Sequence, residues 1–251
     1  MVGTIKIGRI FGFEINVHWS WFFIFFLVTA TFATNLLQEY YPEWTSSRRW
    51  VVGAFISLLF FISILLHEMS HSVLARRYGI PVPSITLFVF GGVSNLGKEP
   101  DNARQEFWIA IVGPLTSFAI AGAFGIAYLA LRPIEAGASG VCAYLAFINA
   151  AIGAFNLIPG FPLDGGRVLR SAFWARKRSI LDATRMASRA GQMVAYGIMG
   201  LGVIMFIAFG DILTGLWFLL IGNFLRSASA ASYEQLFVET ILKGIPASAV
   251  A

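Results

Sequence analysis

Six long apolar runs divide this chain of 251 residues, and they constrain its fold more than any other feature of the sequence. A helix needs about 20 residues to cross the hydrocarbon core of a bilayer, and most of the runs are close to this length. Hydrophobic residues make up 57% of the chain and charged residues only 12%, so a single globule could not bury its apolar surface. We therefore predict an all-α membrane protein built as a six-transmembrane-helix bundle. The predicted spans are residues 19–37, 50–75, 107–131, 141–158, 190–209 and 212–225.

The basic residues between the runs predict how the chain is oriented. If the amino terminus is cytoplasmic, all but three of the 18 Lys and Arg residues fall on the cytoplasmic side, the exceptions being Arg48, Arg49 and Arg132. Short cytoplasmic connections carry such an excess of Lys and Arg. We therefore expect a multi-pass protein of the cytoplasmic membrane with both termini in the cytoplasm. Because the net charge of +5 is explained by this orientation, we expect no nucleic-acid partner.

Two short segments have the composition of strands. Residues 4–17 mix β-branched residues with glycines and predict a strand pair, so residues 1–18 are assigned to an interfacial β segment. Residues 84–93 are too few to span as a helix, and open strands cannot face lipid because their backbone groups would lack partners. This second segment is either an apolar loop packed on the bundle or an edge strand that pairs with an extended substrate, and the sequence favours neither.

The motif His67-Glu68-Met69-Ser70-His71, inside the second predicted span, indicates metal chemistry. Positions four apart share one face of a helix, so the two imidazoles can bind one metal ion. Glu68 lies on the adjoining face, where it can take a proton from a metal-bound water. Ionisable residues inside a span are costly, so a metal site is favoured over a polar cluster that merely joins helices.

A third ligand is needed, because a catalytic zinc ion usually has three protein ligands and one position for water. His18 adjoins Trp19 at the edge of a span and is more typical of an interfacial aromatic belt. Asp164 is the better candidate, since it follows Pro159 and Pro162, which break the fourth predicted span. Irregular backbone at membrane depth is tolerated around a cavity or a site. A solvated carboxylate at a helix end is the alternative, but the second and fourth spans both end toward the cytoplasm.

Two imidazoles and one carboxylate suit a single Zn²⁺ per chain. The ion would keep a net charge of +1, which lowers the pKa of its bound water to about 7. Glu68 would act as the general base and then as the general acid toward the leaving amine. Asn156 has an amide suited to stabilising an oxyanion or holding substrate backbone, although packing between helices explains it equally well. The single cysteine, Cys142, excludes a Cys-rich zinc site.

In these motifs the sequence resembles the site-2 protease family of intramembrane metalloproteases. The resemblance covers about residues 4–230 and implies that His67, His71 and Asp164 bind zinc and that Glu68 is the catalytic acid and base. One departure is the stretch Gly113-Pro114-Leu115-Thr116-Ser117, because members often carry an asparagine after Gly-Pro-Leu. The matching stretches are His67-Glu68-x-x-His71, Asn156-x-x-Pro159-x-x-Pro162-x-Asp164-Gly165, Val17-His18-Trp19-Ser20 and Phe90-Gly91-Gly92.

The resemblance also carries expectations about substrates and regulation. Residues 84–93 would form a membrane-embedded β-hairpin that presents the substrate as a strand. Substrates would be single-pass transmembrane proteins, cut near the cytoplasmic face in regulated intramembrane proteolysis. Residues 19–230 would form the protease core, and residues 231–251 would begin a truncated CBS-like region that binds a nucleotide. The expected substrate-contacting residues are Phe88, Val89, Phe90, Gly91 and Gly92.

Two other functions were weighed against an intramembrane protease. A catalytically silent relative that binds membrane clients would have lost a zinc ligand or Glu68, whereas all four residues are present here. A metal transporter would be expected to show paired half-helices in two repeats, and the sequence has no such symmetry.

Overall fold

Long apolar helices dominate the protein, which we describe from a computed structural model. The structure describes residues 3–89, 91–177 and 179–242, except for the side chains of Glu239 and Leu242. Within these residues, six helices are long and apolar enough to cross a membrane, as the sequence predicts. The helices are α1 (Trp19–Tyr40), α2 (Ser46–Arg77), α3 (Ala103–Leu131), α4 (Ala136–Asn156), α5 (Asp164–Lys177), α6 (Ile180–Phe209) and α7 (Ile212–Leu242), and α5 is the one that does not span.

The helices are longer than the apolar runs because polar caps extend them. The side chain of Thr45 accepts a hydrogen bond from the backbone of Arg48, so α2 begins well before the apolar run. Ser179 caps α6 in the same way. Gly210 ends α6 in the left-handed conformation (φ 66°), which glycine adopts without strain. Residues 231–242, assigned from the sequence to a separate region, continue α7, and residues 243–251 lie outside the described part of the chain.

Lipid has to cover most of the surface of the spans. In the most apolar window of each span, only 11% to 33% of the residues are buried inside the protein. Large apolar side chains such as Phe23, Ile126 and Ile207 are mostly exposed. Contiguous apolar surface on this scale is unstable in water, so the chain is a multi-pass membrane protein.

Both predicted strand pairs are confirmed, and they belong to one sheet. The strands are β1 (Thr4–Ile10), β2 (Phe13–His18), β3 (Ser84–Phe88) and β4 (Gly91–Ser94), in the order β1-β2-β3-β4. The two hairpins are antiparallel, whereas β2 and β3 run parallel, with Ile15 opposite Ile85. Parallel pairing requires a long crossover, and α1 with α2 provides it. One edge of the sheet is therefore β4.

The sheet and helices α1 and α2 belong to one of two compact units. This unit comprises Met1–Pro100 with Val112–Ala154, and the other comprises Asp101–Ile111 with Phe155–Ala251. The first unit has a core of Phe32, Leu37, Ile56 and Leu145. Arg76, in the last turn of α2, donates to the carbonyl of Phe11 across 2.7 Å, which fixes the first hairpin to the cytoplasmic end predicted for this helix.

In the second unit, irregular backbone packs tightly between helices. A Cβ on Gly160 would overlap the backbone of Gly191 in α6, so the segment after α4 lies directly on that helix. Gly202 of α6 and Gly215 of α7 pack against each other. The carbonyl oxygen of each lies 2.8 Å from the position that a Cβ on the other would occupy, so the two helices are in close contact. A buried ion pair between Glu106 and Arg170 joins the first turn of α3 to α5.

Candidate metal centre

The two histidines of α2 are buried and face each other. His67 and His71 are each only 3% exposed, and their Nε2 atoms are 3.3 Å apart. Two nitrogen lone pairs at this distance repel each other unless a proton or a cation lies between them. Zn–N bonds of about 2.0–2.1 Å at a tetrahedral angle would place the two nitrogens about 3.3–3.4 Å apart. The pair therefore has the spacing that a shared zinc ion requires.

Ser117 of α3 fixes the ring of His67. Its hydroxyl oxygen lies 2.9 Å from Nδ1 of His67, and the serine is 1% exposed. A proton on Nδ1 donated to this oxygen leaves the Nε2 lone pair directed at His71. Metal-binding histidines usually have such a partner on the second nitrogen, which sets both the tautomer and the ring orientation. Ser117 is thus a supporting residue of the pair.

Gly113 lets the backbone of α3 pass beside the imidazoles. A Cβ at this position would lie 2.7 Å from Nε2 of His67 and would overlap Nε2 and Cε1 of His71. Real Cβ atoms essentially never come that close to another heavy atom. A glycine here is therefore required by the space beside the two nitrogens.

Glu68 points toward the second hairpin. The hydroxyl of Ser94, the last residue of β4, lies 2.9 Å from Oε2 of Glu68 and can donate to it. A Cβ on Gly92 would overlap the Cγ atom of Glu68, so the glutamate side chain lies against the strand. The candidate general base is half-buried between the turn of α2 that carries the two histidines and the edge strand β4.

Of the hairpin residues predicted to bind substrate, Gly92 lies beside this glutamate. Phe88 ends β3 and pairs with Gly91, and Leu87 pairs with Gly92. The backbone N–H of Val89 donates to the hydroxyl of Ser20 across 3.2 Å. Phe90 lies outside the described residues.

Asp164 and Asn156 belong to the second compact unit. Asp164 is the first residue of α5 and is half-buried, as is Asn156, the last residue of α4. Gly165 and Gly166 allow the first turn of α5 to pack directly on the backbone of residues 157–161. The two prolines do end α4, as predicted. His18 caps α1, its Nδ1 atom accepting a hydrogen bond from the backbone N–H of Ser20.

Sequence reasoning missed the serines. The Oγ atoms of Ser72 and Ser94 are 3.0 Å apart, and each lies within 3.1 Å of the backbone carbonyl oxygen of Glu68. Nothing in the sequence distinguishes these two from the other serines. Ser117 had one signal, because it follows the Gly-Pro-Leu stretch where related proteins often carry a polar amide.

The fold and the histidine pair define a class of protein, namely a multi-pass membrane protein with a metal-binding motif on a buried face of a span. The chain belongs to Peptidase family M50, whose family model matches residues 55–133 and 120–199. These two ranges together contain His67, Glu68, His71 and Asp164. The predicted resemblance to the site-2 proteases is therefore confirmed.

Individual relatives agree with this assignment. Rip3 of Mycobacterium tuberculosis is 37% identical over 98% of this chain, and zinc metalloprotease MJ0392 of Methanocaldococcus jannaschii is 31% identical over 97%. The solved structure of a site-2 protease from Methanocaldococcus jannaschii matches 92% of this chain and 95% of its own, with a TM-score of 0.62 and 27% sequence identity. The chain spans 62% of Rip3 and 65% of MJ0392, less than two thirds of either protein.

Proposed function

We propose that the protein is an intramembrane zinc endopeptidase that cuts transmembrane substrates near the cytoplasmic face. The observation that carries the proposal is the buried pair His67 and His71, with Nε2 atoms 3.3 Å apart beside Glu68 on one helical turn. A span has little reason to bury this set unless it binds a metal ion. Membership in Peptidase family M50 supports the same reaction.

His67, His71 and Asp164 are proposed to hold one zinc ion per chain. The imidazoles supply two nitrogen donors, and a carboxylate completes a three-ligand set of the kind that catalytic zinc sites use. Asp164 supports this role because it starts a helix at an irregular break of the chain, and because it lies in the matched part of the family model. Zinc bound in this way would supply a Lewis acid and an activated water.

Glu68 is proposed to move the proton during peptide hydrolysis. Its carboxylate takes a proton from the attacking water as the water oxygen bonds to the scissile carbonyl carbon. It then gives this proton to the amide nitrogen as the C–N bond breaks, so that a carboxylic acid and an amine are released, which ionise to a carboxylate and an ammonium group. Asn156 is proposed to donate its amide N–H groups to the carbonyl oxygen or to substrate backbone.

The second hairpin is proposed to receive the substrate as an additional strand. A helical substrate satisfies its own backbone hydrogen bonds, so its peptide groups must be unwound before a nucleophile can reach them. The edge strand β4 offers backbone donors and acceptors for the unwound segment, directly beside Glu68. Phe88, Val89, Phe90, Gly91 and Gly92 are the proposed contacts, with Gly91 leaving room for the substrate backbone.

The location, the type of substrate and the role of the C-terminal region are proposed from the charge distribution and from the family resemblance. The distribution of Lys and Arg favours the cytoplasmic membrane with both termini in the cytoplasm. Single-pass proteins are the proposed substrates, in regulated intramembrane proteolysis. Residues 231–251 are proposed to lead into a nucleotide-binding region of the CBS type. Of the other candidates, neither the silent relative nor the transporter is favoured by any observation.

The test compares the wild type with Glu68→Gln after reconstitution in lipid vesicles. The substrate is a reporter with one transmembrane segment and a fluorescent tag at its cytoplasmic end. We expect cleavage by the wild type, no cleavage by Glu68→Gln, and about one zinc ion per chain in both. Glu39→Gln, an exposed glutamate at the end of α1, is the matched control and should cleave normally. Cleavage by Glu68→Gln at the wild-type rate, or a wild type that binds no zinc, would refute the proposal.

A further inference from the structure

A chain of two hydroxyl groups ends on the carboxylate of Glu68. Ser72, one turn further along α2, lies with its Oγ 3.0 Å from Oγ of Ser94, and Ser94 in turn lies 2.9 Å from Oε2 of Glu68. Each hydroxyl has one proton, so while Ser94 donates to the carboxylate, Ser72 can donate to Ser94 or to the backbone carbonyl of Glu68, which is also 3.0 Å away. Ser72 is fully buried, and this keeps its hydroxyl from exchanging its partner for solvent.

Ser94 belongs to the strand that is proposed to bind substrate. It is the last residue of β4 and pairs with Ile85 of β3, so its backbone is fixed by the sheet. Two residues earlier on the same strand, Gly92 packs on the Cγ atom of Glu68. Strand β4 therefore contacts the glutamate twice, once at its methylene groups and once at its carboxylate oxygen. Together the two contacts restrict the rotation of a side chain that has three rotatable bonds.

We propose that Ser94 is a positioning residue, which holds the carboxylate of Glu68 in the orientation needed for proton transfer and couples it to the edge strand β4. The inference rests on the proposed function, in which Glu68 moves the proton and β4 receives the substrate. A general base works only within hydrogen-bonding reach of the proton it takes, so a carboxylate free to rotate spends less time in the productive geometry. Strand β4 then positions both the scissile bond of the substrate and the carboxylate of Glu68.

A positioning role predicts a particular pattern of kinetic change. Loss of a hydrogen bond to a charged group changes an equilibrium or a barrier by a factor of about 10 to 100. We expect Ser94→Ala to lower kcat by about that factor, because the base is less often in place. KM should stay within about twofold, because the backbone of β4 is unchanged. Zinc content should also stay at the wild-type level, because His67 and His71 are untouched.

The experiment measures kcat, KM, zinc content and thermal stability for Ser94→Ala and Ser94→Thr in vesicles with the transmembrane reporter. Ser94→Thr keeps the hydroxyl and suits a strand, so it should recover most of kcat. Ser63→Ala is the matched control, because this buried serine of α2 donates to the carbonyl of Leu59 in its own helix. It should keep the wild-type kcat.

Each outcome bears on the inference. A wild-type kcat in Ser94→Ala, while Glu68→Gln is inactive, would overturn the role of Ser94 and leave the proposed function intact. Loss of zinc or of thermal stability in Ser94→Ala, with no recovery in Ser94→Thr, would make Ser94 a structural residue and would also overturn the inference. A wild type that binds no zinc would reject the proposed function and the role of Ser94 with it. A selective loss of kcat, restored by threonine, would support the inference.

Discussion

Gly113→Ala tests the geometry of the histidine pair directly. Gly113 lies inside α3, where alanine is favoured over glycine by about 0.5–1 kcal/mol. Helix propensity alone therefore predicts a neutral or stabilising substitution. Any damage must come from the added methyl group, which would lie 2.7 Å from Nε2 of His67 and would overlap Nε2 of His71.

The size of the effect follows from these distances. Ordinary van der Waals contact begins near 3.4 Å, so the ring of His67 would have to withdraw by about 0.7 Å, and that of His71 by more. Metal sites tolerate ligand distances only within about 0.2 Å of their usual values. A displacement several times larger should prevent both rings from binding one ion. We expect zinc affinity to fall on the order of 100-fold or more.

The assay is competition for zinc between the purified protein and a chelator of known affinity, with thermal unfolding measured alongside. Gly122→Ala is the matched control, because it lies on the same helix and its Cβ position faces open space within the described part of the chain. That variant should bind zinc as the wild type does. If Gly113→Ala bound zinc within threefold of the wild type, the two Nε2 atoms could not be the ligands, and the site would have to be assigned to other atoms.

Three further predictions concern the proposed zinc ligands, their support and the sheet. Ser117→Ala removes the oxygen beside Nδ1 of His67, so chelator competition should show a zinc affinity lower by about 10- to 100-fold. Ser117→Thr should restore the affinity. An unchanged zinc affinity in Ser117→Ala would exclude a supporting role for this hydroxyl. Asp164→Ala should bind less than one zinc ion per chain by elemental analysis, and full occupancy would mean that another residue is the third ligand. Phe88→Pro removes a ladder donor beside β4 and should slow cleavage of the reporter with zinc content unchanged, whereas Ile7→Pro in the opposite edge strand should not. Equal turnover in the two proline variants would show that strand addition at Phe88 is not used.

The spans could be predicted from the sequence because their length and composition are local properties. Their ends could not, since a helix ends where its backbone groups find other partners. The residues 46–49 are polar, yet they are helical because Thr45 caps them. Helix α5 was missed because it is short and polar. Its charges do give a signal, with Asp164 in the first turn and Arg176 and Lys177 in the last, the arrangement that the helix dipole favours.

Pairing between β2 and β3 could not be predicted, although each hairpin could. A hairpin forms between neighbouring segments, and its turn glycines mark it in the sequence. The residues Ile15 and Ile85 are brought together only after α1 and α2 have packed, so their pairing depends on tertiary structure. The pairing of β2 with β3 matters for the site, because it makes β4 the edge strand of a four-stranded sheet. A two-stranded hairpin on its own would be less stable.

The motif on α2 predicted the chemistry, but the small residues around it decide whether the chemistry is possible. Two histidines four residues apart share one face of a helix, but they can hold an ion only where that face meets neither lipid nor a bulky neighbour. Here Gly113 leaves space beside the imidazoles and Gly92 leaves space for the glutamate, while Ser117 and Ser94 supply hydroxyls to these side chains. None of these four has catalytic chemistry of its own. Because a larger residue at Gly113 would overlap an imidazole ring and one at Gly92 would overlap the Cγ atom of Glu68, these contact positions constrain the proposed site as much as the histidine motif does.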